Sequence, residues 1–240
     1  MHKSPAYGRI LLKLSGESLK SAHSGIIDHD ACHAVAERVR EVHDLGIEIG
    51  IVIGGGNMFR GSQAKQFGFA RTPADHVGML ATMINGLILS RVLSAKGCKT
   101  RVMSALSCDG IVESYNWSRA LGSLSAGYIM IFVGGTGNPY FTTDTTAAMR
   151  ASEIEAEVLL KGTKVDAIYN KDPMKYPHAV RYDRLSFSQV LDENLHIMDG
   201  AAVAMCRENG IPIHVFNLFD KDALMRAVCE KKGGTFVTGE

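Results

Sequence analysis

The stretch Tyr128-Ile-Met-Ile-Phe-Val-Gly-Gly-Thr-Gly-Asn-Pro-Tyr-Phe-Thr-Thr-Asp-Thr-Thr-Ala-Ala-Met-Arg150 decides the fold. Ile129–Val133 reads as a buried strand that stops abruptly at Gly134-Gly135-Thr136-Gly137. A hydroxyl-rich run follows, and Asp144 opens what reads as a helix. Glycines let a backbone approach a ligand closely, and free N–H groups at a helix start attract anions. Tyr140 and Phe141, between Pro139 and Thr142, suit a flat ring better than a bare phosphate. The segment therefore reads as a pocket for something both anionic and planar.

The same strand–turn–helix pattern recurs outward from this point. Arg9–Leu14 is a strand running into Ser15-Gly16-Glu17, and Ile47–Ile53 is another that closes on Gly54-Gly55-Gly56. An amphipathic helix is expected from Asp28 to Asp44, ended by Gly46. Thr72-Pro-Ala-Asp75 reads as a capped helix start, with Asp75 closing a capping box, and Gly97 as its stop. Further strands are expected at Thr100–Met103, Val158–Lys161, Ala167–Tyr169, Ile213–Phe216 and Thr235–Val237. Helices are expected after Asn116 and from Thr145, Asp199 and Asp222. Alternating strands and helices argue for a mainly parallel sheet covered on both faces. Ligands of such sheets collect at the carboxyl ends of the strands, where three glycine-rich turns would form one cleft. The polar stretch Asn170–Arg184 reads as a site loop within one domain of two lobes.

Bulk properties narrow the function. A chain of 240 residues can bury one large α/β core. Its formal net charge of +1 and dispersed cations suggest neither a nucleic-acid groove nor a membrane surface patch. Contiguous apolar runs such as Tyr128–Val133 are too short to span a bilayer, and no secretory signal is expected. Five scattered cysteines without a CxxC read as reduced thiols in a cytoplasmic protein.

Several residues carry candidate chemistry. Lys13 interrupts an apolar strand, either as an edge-strand lysine reaching solvent or as a cation aimed at phosphate oxygens. Arg60, beyond the Gly54–Gly56 turn, is a surface arginine or a bidentate phosphate ligand. Asp75 is a capping acid or an acceptor for ribose hydroxyls; Asp144 is a cap or a holder of Mg²⁺ beside a phosphate. His29 and His33 flank Cys32 at metal-like spacing, but no second ligand pair matches them. Neither a Walker loop nor a G-x-G-x-x-G fingerprint is present, so phosphate handling would need another architecture.

Lys13-Leu-Ser-Gly-Glu17, Gly54-Gly-Gly-Asn-x-x-Arg-Gly61, Asp75-His-x-Gly-Met-Leu-Ala-Thr82 and Gly135-Thr-Gly-Asn-Pro-Tyr-Phe-Thr-Thr-Asp144 together resemble the bacterial uridylate (UMP) kinases of the amino acid kinase superfamily. Lys161-x-Thr-Lys-Val-Asp166, Asp172-Pro173 and Met198-Asp199 extend the resemblance over essentially the whole chain. It implies a three-layer α/β/α sandwich with a mainly parallel central sheet, a homohexamer, and Mg²⁺-dependent transfer of the ATP γ-phosphate to UMP. The acceptor lobe would span residues 1–155 and the ATP lobe 156–240. By resemblance Lys13, Leu14, Ser15, Gly16, Gly56, Arg60, Thr163, Tyr169 and Asp172 lie on the ATP side. Gly55, Asp75, Thr136, Gly137, Asn138, Pro139, Tyr140, Phe141, Thr142 and Thr143 would hold UMP. Lys13 and Arg60 would bridge the transferring group, Asp144 would organise Mg²⁺, and Asp199 would orient Lys13. UTP typically inhibits such enzymes and GTP often activates them.

Two departures stand out. Ser18–Gly25 is poorer in glycine than the family's version of a segment associated with GTP activation, so that regulation is not carried over. Ala167 replaces a glycine common near the adenine site. Competing readings are a kinase of small carboxylates or carbamate within the same fold, and a uridine-nucleotide sensor without catalysis. Tyr140-Phe141 favours a nucleotide acceptor, and the joint presence of Lys13, Arg60, Asp144 and Asp199 favours catalysis.

Overall fold

The computed structural model describes residues 4–21, 25–60, 63, 66–171, 173, 175–176, 178–195 and 197–239. Strand β1 (Arg9–Leu14) is apolar at Ile10, Leu11, Leu12 and Leu14, the composition of a strand covered on both faces. The chain then builds β2 (Glu48–Ile53), β3 (Thr100–Ser104), β4 (Glu113–Ser114), β5 (Ile129–Val133) and β6 (Val158–Thr163). A small hairpin, β7 (Ile168–Tyr169) with β8 (Arg181–Tyr182), stands apart from the main sheet. Strands β9 (Arg184–Ser186), β10 (Ile213–Asn217) and β11 (Thr235–Thr238) complete it. The nine-stranded order is β4-β3-β5-β2-β1-β6-β10-β11-β9, parallel throughout except for the β10–β11 pair.

Helices α1 (His29–His43), α2 (Arg71–Ala95), α3 (Trp117–Ser125), α4 (Thr143–Glu153), α5 (Phe187–Asp192), α6 (Gly200–Glu208) and α7 (Ala223–Glu230) cover the sheet. Val35 and Val39 of α1, Leu89 and Leu93 of α2, and Leu224 and Val228 of α7 pack on one face. Leu124 of α3, Ala147 and Ala151 of α4, and Ala202 and Val203 of α6 pack on the other. The expected three-layer α/β/α arrangement is therefore borne out. Strand alternation sends Ile10, Leu12 and Leu14 to the first layer and Leu11 to the second. Lys13 shares the parity of Leu11, so its side chain emerges on the α4 side.

Three expectations are corrected. Lys13 is not on an edge strand, because β1 is central. Helix α2 starts at Arg71 behind Ala70, which makes no side-chain cap, so Thr72 and Asp75 form no capping box. Proline at position 73 is tolerated there because first-turn N–H groups have no intrahelical partner anyway. Finally, α2 is long and apolar enough to cross a membrane by length and composition, although no contiguous run suggested it. Half of its apolar window is buried within the fold, and its inward face carries Thr82 and Asn85, both hydrogen-bonded to turns of the sheet. These are the features of a core helix.

At the far end of β10, His214 is fully buried and stacks on Phe236 with ring centroids 3.8 Å apart. Its Nε2 donates to the Gly233 carbonyl, while Nδ1 has no partner among the described residues. Burial lowers its pKa to about 4, more than the Gly233 contact restores. The folded state thus stays neutral where the unfolded chain, titrating near 6.5, takes up a proton. Stability from this residue is complete above about pH 6.5 and is lost as pH falls towards 4. Between pH 7 and 5 the protein should lose about 2 kcal/mol more than a His214→Gln variant in denaturant titrations. Parallel pH profiles for the two proteins would refute this.

Candidate active site

Lys13 of β1 and Lys161 of β6 are register partners in adjacent parallel strands, so two ammonium groups project side by side from one face. Asp144, in the first turn of α4, fits between them: Oδ1 lies 2.8 Å from Lys13 Nζ, and Oδ2 accepts from Lys161 Nζ at 2.8 Å. Lys13 is only 9 % exposed, and all three groups are largely removed from water. Burial works against ionisation of Asp144, but the two lysines outweigh it and hold its pKa below the usual carboxylate value. For Lys161, burial and the neighbouring Lys13 charge together outweigh Asp144 and lower its pKa. Lys13 occupies one side of buried Oδ1, and a carboxylate oxygen has a second lone-pair direction, so Oδ1 keeps an unfilled acceptor site.

The turns after β1, β2 and β5 lie side by side, as expected, because these strands are neighbours. Gly16 is imposed by this contact: a Cβ there would stand 2.3 Å from Asn57 Oδ1 and 2.6 Å from the Gly54 carbonyl. Gly55 meets α2 equally closely, with Gly78 O 2.7 Å from where its Cβ would be. Helix α2 ties the turns together through buried amides and a hydroxyl. Asn85 Nδ2 donates to the Gly54 carbonyl at 2.7 Å and pairs with Asn57, while Thr82 Oγ1 accepts from Gly134 N at 2.8 Å.

Three cavities open along this edge. The first, of about 350 Å³, is bounded by Gly55, Gly56, Arg60, Asp75, Phe141 and Thr143. The second, also about 350 Å³, is lined by Lys13, Ser15, Glu17, Arg60, Lys161 and Thr163. The third, of about 370 Å³, includes Thr163, Ala167, Tyr169, Leu195, Ile197 and Val215. Arg60 lines the first two and Thr163 the last two, so the three form a continuous series.

This geometry places the sequence-derived residues unevenly. Lys13, Ser15, Arg60, Thr163 and Tyr169, assigned to the ATP side by resemblance, line the second and third cavities. Leu14 is fully buried in the core, so only its backbone meets the turns, and Gly56 lines the first cavity rather than the second. Asp172 lies outside the described residues. Gly55, Asp75, Phe141, Thr142 and Thr143 line the first cavity, but Thr136, Gly137, Asn138, Pro139 and Tyr140 do not. Thr136 Oγ1 instead closes its own loop on Asn138, and exposed Tyr140 has φ 73° with Arg71 5.1 Å from its ring. Asp75 braces that loop, accepting from Tyr140 N at 2.8 Å and from Arg71 Nε at 3.3 Å.

Asp199 was expected to orient Lys13, but its hydrogen bonds go elsewhere. It caps α6 through Ala202 N at 2.8 Å and accepts from the hydroxyls of Thr142 and Thr145. It thereby locks the first turn of α4, where Asp144 sits, and its charge acts on Lys161. Sequence reasoning gave no role to Lys161, Glu17, Thr82 or Asn85. Lys161 had a usable signal: a cation inside a buried strand, as at Lys13.

The amino acid kinase family model matches residues 8–217. The chain belongs to the amino acid kinase family. Among its relatives, a uridylate kinase of Protochlamydia amoebophila is 57 % identical over 210 residues, covering 88 % of this chain and 84 % of that protein. A crystal structure of UMP kinase from Bacillus anthracis superposes with TM-score 0.93 at 38 % identity, covering 98 % of this chain and 97 % of its own. UMP kinase from Ureaplasma parvum gives TM-score 0.91 at 40 % identity, with 96 % and 98 % covered. The resemblance to bacterial uridylate kinases carried by the motifs is thus borne out within the family.

The Lys13–Asp144–Lys161 cluster carries its own prediction. Asp144→Asn leaves two adjacent buried ammonium groups without an anion and should cost about 3 kcal/mol of stability. Adding Lys161→Met should recover part of that loss, because only one cation then remains. Urea titration of the three proteins tests this, and an Asp144→Asn midpoint equal to the unaltered protein would contradict it.

Proposed function

We propose that the protein transfers the γ-phosphoryl group of ATP to UMP, giving UDP and ADP in pyrimidine nucleotide biosynthesis. The observation that carries this reading is Arg60 lining two adjoining cavities, with the Lys13–Asp144–Lys161 cluster at the wall of one. The cavity with Asp75, Phe141 and Thr143 would take UMP, the middle one the ATP phosphates, and the one walled by Tyr169, Ile197 and Val215 the adenine. Its lining agrees with the expected division into an acceptor lobe (1–155) and an ATP lobe (156–240). Among the described residues, those lining the proposed UMP cavity lie between 55 and 143 and those lining the proposed adenine cavity lie from 163 onward.

The chemistry needs no general base. A phosphate monoester acceptor is already largely dianionic near neutral pH and is itself the nucleophile. The barrier is the repulsion between two anionic phosphates that must approach in line. Lys13 is held at the wall of the phosphate cavity by its ion pair with Asp144, so little reorganisation is needed when charge develops. Arg60 can place guanidinium N–H groups on oxygens of both partners, since it faces both cavities. Thr142 and Thr145, fixed by Asp199, keep the α4 N-terminus and its anion-attracting N–H groups in place.

Mg²⁺ fits this site. Asp144 Oδ1 is a buried carboxylate oxygen with an unfilled acceptor position, and Mg²⁺ is commonly held by one or two carboxylates together with phosphate oxygens and water. Asp144 would hold it, directly or through water; bound there with ATP, the ion would neutralise developing charge on the phosphates. UTP, which shares the uridine group, is the expected inhibitor at the UMP cavity. Association of copies, a hexamer by resemblance, is supported by Val77, Leu80 and Ile84, exposed along one face of α2. A cytoplasmic location agrees with five scattered cysteines that include no CxxC pair.

Mg·ATP-dependent ADP release should occur with UMP and not with acetylglutamate, aspartate, carbamate or no acceptor. Release with a carboxylate would overturn the acceptor assignment, and nucleotide binding without release would indicate a sensor. Lys13→Ala should lower kcat by about a hundredfold or more, with the fold retained by circular dichroism. Unaltered turnover in that variant would remove Lys13 from the mechanism.

A further inference from the structure

Glu17 is out of character with its surroundings. It sits in a single 3-10 turn, Gly16–Leu19, directly after β1, and its side chain is 13 % exposed at the wall of the phosphate cavity. A carboxylate there opposes any incoming phosphate. Yet three cations from three segments converge on it. Arg60 Nη2 donates to Oε1, while Lys20 Nζ and Lys164 Nζ lie 3.3 and 3.5 Å from Oε2. Burial alone would raise its pKa, but Arg60 and Lys20 draw it below the ordinary value, so it is ionised at neutral pH.

The consequence for Arg60 is geometric. The arginine side chain is 56 % exposed, so packing alone does not set its direction. Two contacts do: Nε donates to the Gly56 carbonyl at 3.1 Å and Nη2 donates to Glu17. A guanidinium has five N–H donors, so the remaining ones stay available to phosphate oxygens. Lys164 comes from the segment after β6, across the cavity, and is 65 % exposed with Glu17 as its described anionic partner. Neither Lys13 nor Lys161 depends on Glu17, since both pair with Asp144.

We propose that Glu17 is a positioning residue: it sets the direction of Arg60 and Lys164 at the phosphate cavity, and its charge makes nucleotide binding weaker in return. The inference rests on the kinase reading for the role of Arg60, and its binding arm is independent of turnover. Glu17→Gln removes the charge and keeps the shape. It should bind ADP about threefold to tenfold more tightly, the size expected for one screened repulsion, while kcat with UMP falls about tenfold. Glu17→Asp keeps the charge and shortens the reach, so ADP affinity should stay within about twofold while kcat falls similarly. A residue that merely supported the fold would weaken binding and turnover together in both variants.

Calorimetric titration of ADP and steady-state turnover on the full chain decide the matter. Unchanged or weaker ADP binding in Glu17→Gln overturns the proposal, as does unchanged kcat. Should Glu17→Gln fail to fold, Lys164→Gln at an exposed position supplies the decision: ADP affinity should fall about threefold, and unaltered affinity overturns the proposal. If the unaltered protein binds ADP but releases none with UMP, the kinase reading falls, and the Glu17 comparison is still decided by the ADP affinities. If it does not bind ADP, both fall.

Discussion

Two lysines cannot stand side by side in a buried sheet without an anion, and the site depends on how this is resolved. Lys13 and Lys161 are register partners on strands that share one face. Asp144 arrives between them because α4 begins where the turn after β5 ends, and its first turn faces β1 and β6. Removing Asp144 leaves two buried cations without an anion, which is far more costly than the net worth of the cluster, whereas removing either lysine leaves a paired Lys–Asp couple. Well-packed apolar side chains in place of a buried ion cluster are often as stable or more so. Charged groups there are therefore understood through the anions they can meet in the adjoining cavity.

The remaining site is held by polar contacts that the sheet and helices could not make separately. Thr82 and Asn85 would read as flaws in an apolar helix, yet they satisfy backbone groups of the Gly54 and Gly134 turns. Asp75 and Asp199 act in the same manner on the loop at Tyr140 and on the start of α4. Each joins two segments distant in sequence, so each turn is fixed from two sides. Preorganisation of this kind is what lets cations act on a transferring phosphoryl group without first moving.

Much was legible from local patterns. Strand and helix alternation, the glycine turns at strand ends and the helix starts at Asp28, Asn116 and Asp199 all appear where sequence reasoning put them. Short elements were missed: β4, β8, β9 and α5 are two to six residues long and carry little periodicity, although β7 falls within the strand expected at Ala167–Tyr169. The start of α2 was misread because Thr72, Pro73 and Asp75 mimic a capping box while Asp75 is engaged by Tyr140. Spacing in sequence cannot distinguish those two partners for one carboxylate.

The sequence by itself determined the layer architecture and the sheet edge where the glycine turns gather, and it singled out Lys13, Arg60 and Asp144 while leaving a structural alternative open for each. The architecture and the edge follow from local periodicity and glycine placement. Only the tertiary structure decided which charges meet: Lys161 beside Lys13, Glu17 under Arg60, and Asp199 on the threonines rather than on Lys13. The physical reason is that pairing depends on strand order and register. Those are set by which apolar faces pack together across the whole chain, and no local window contains that information.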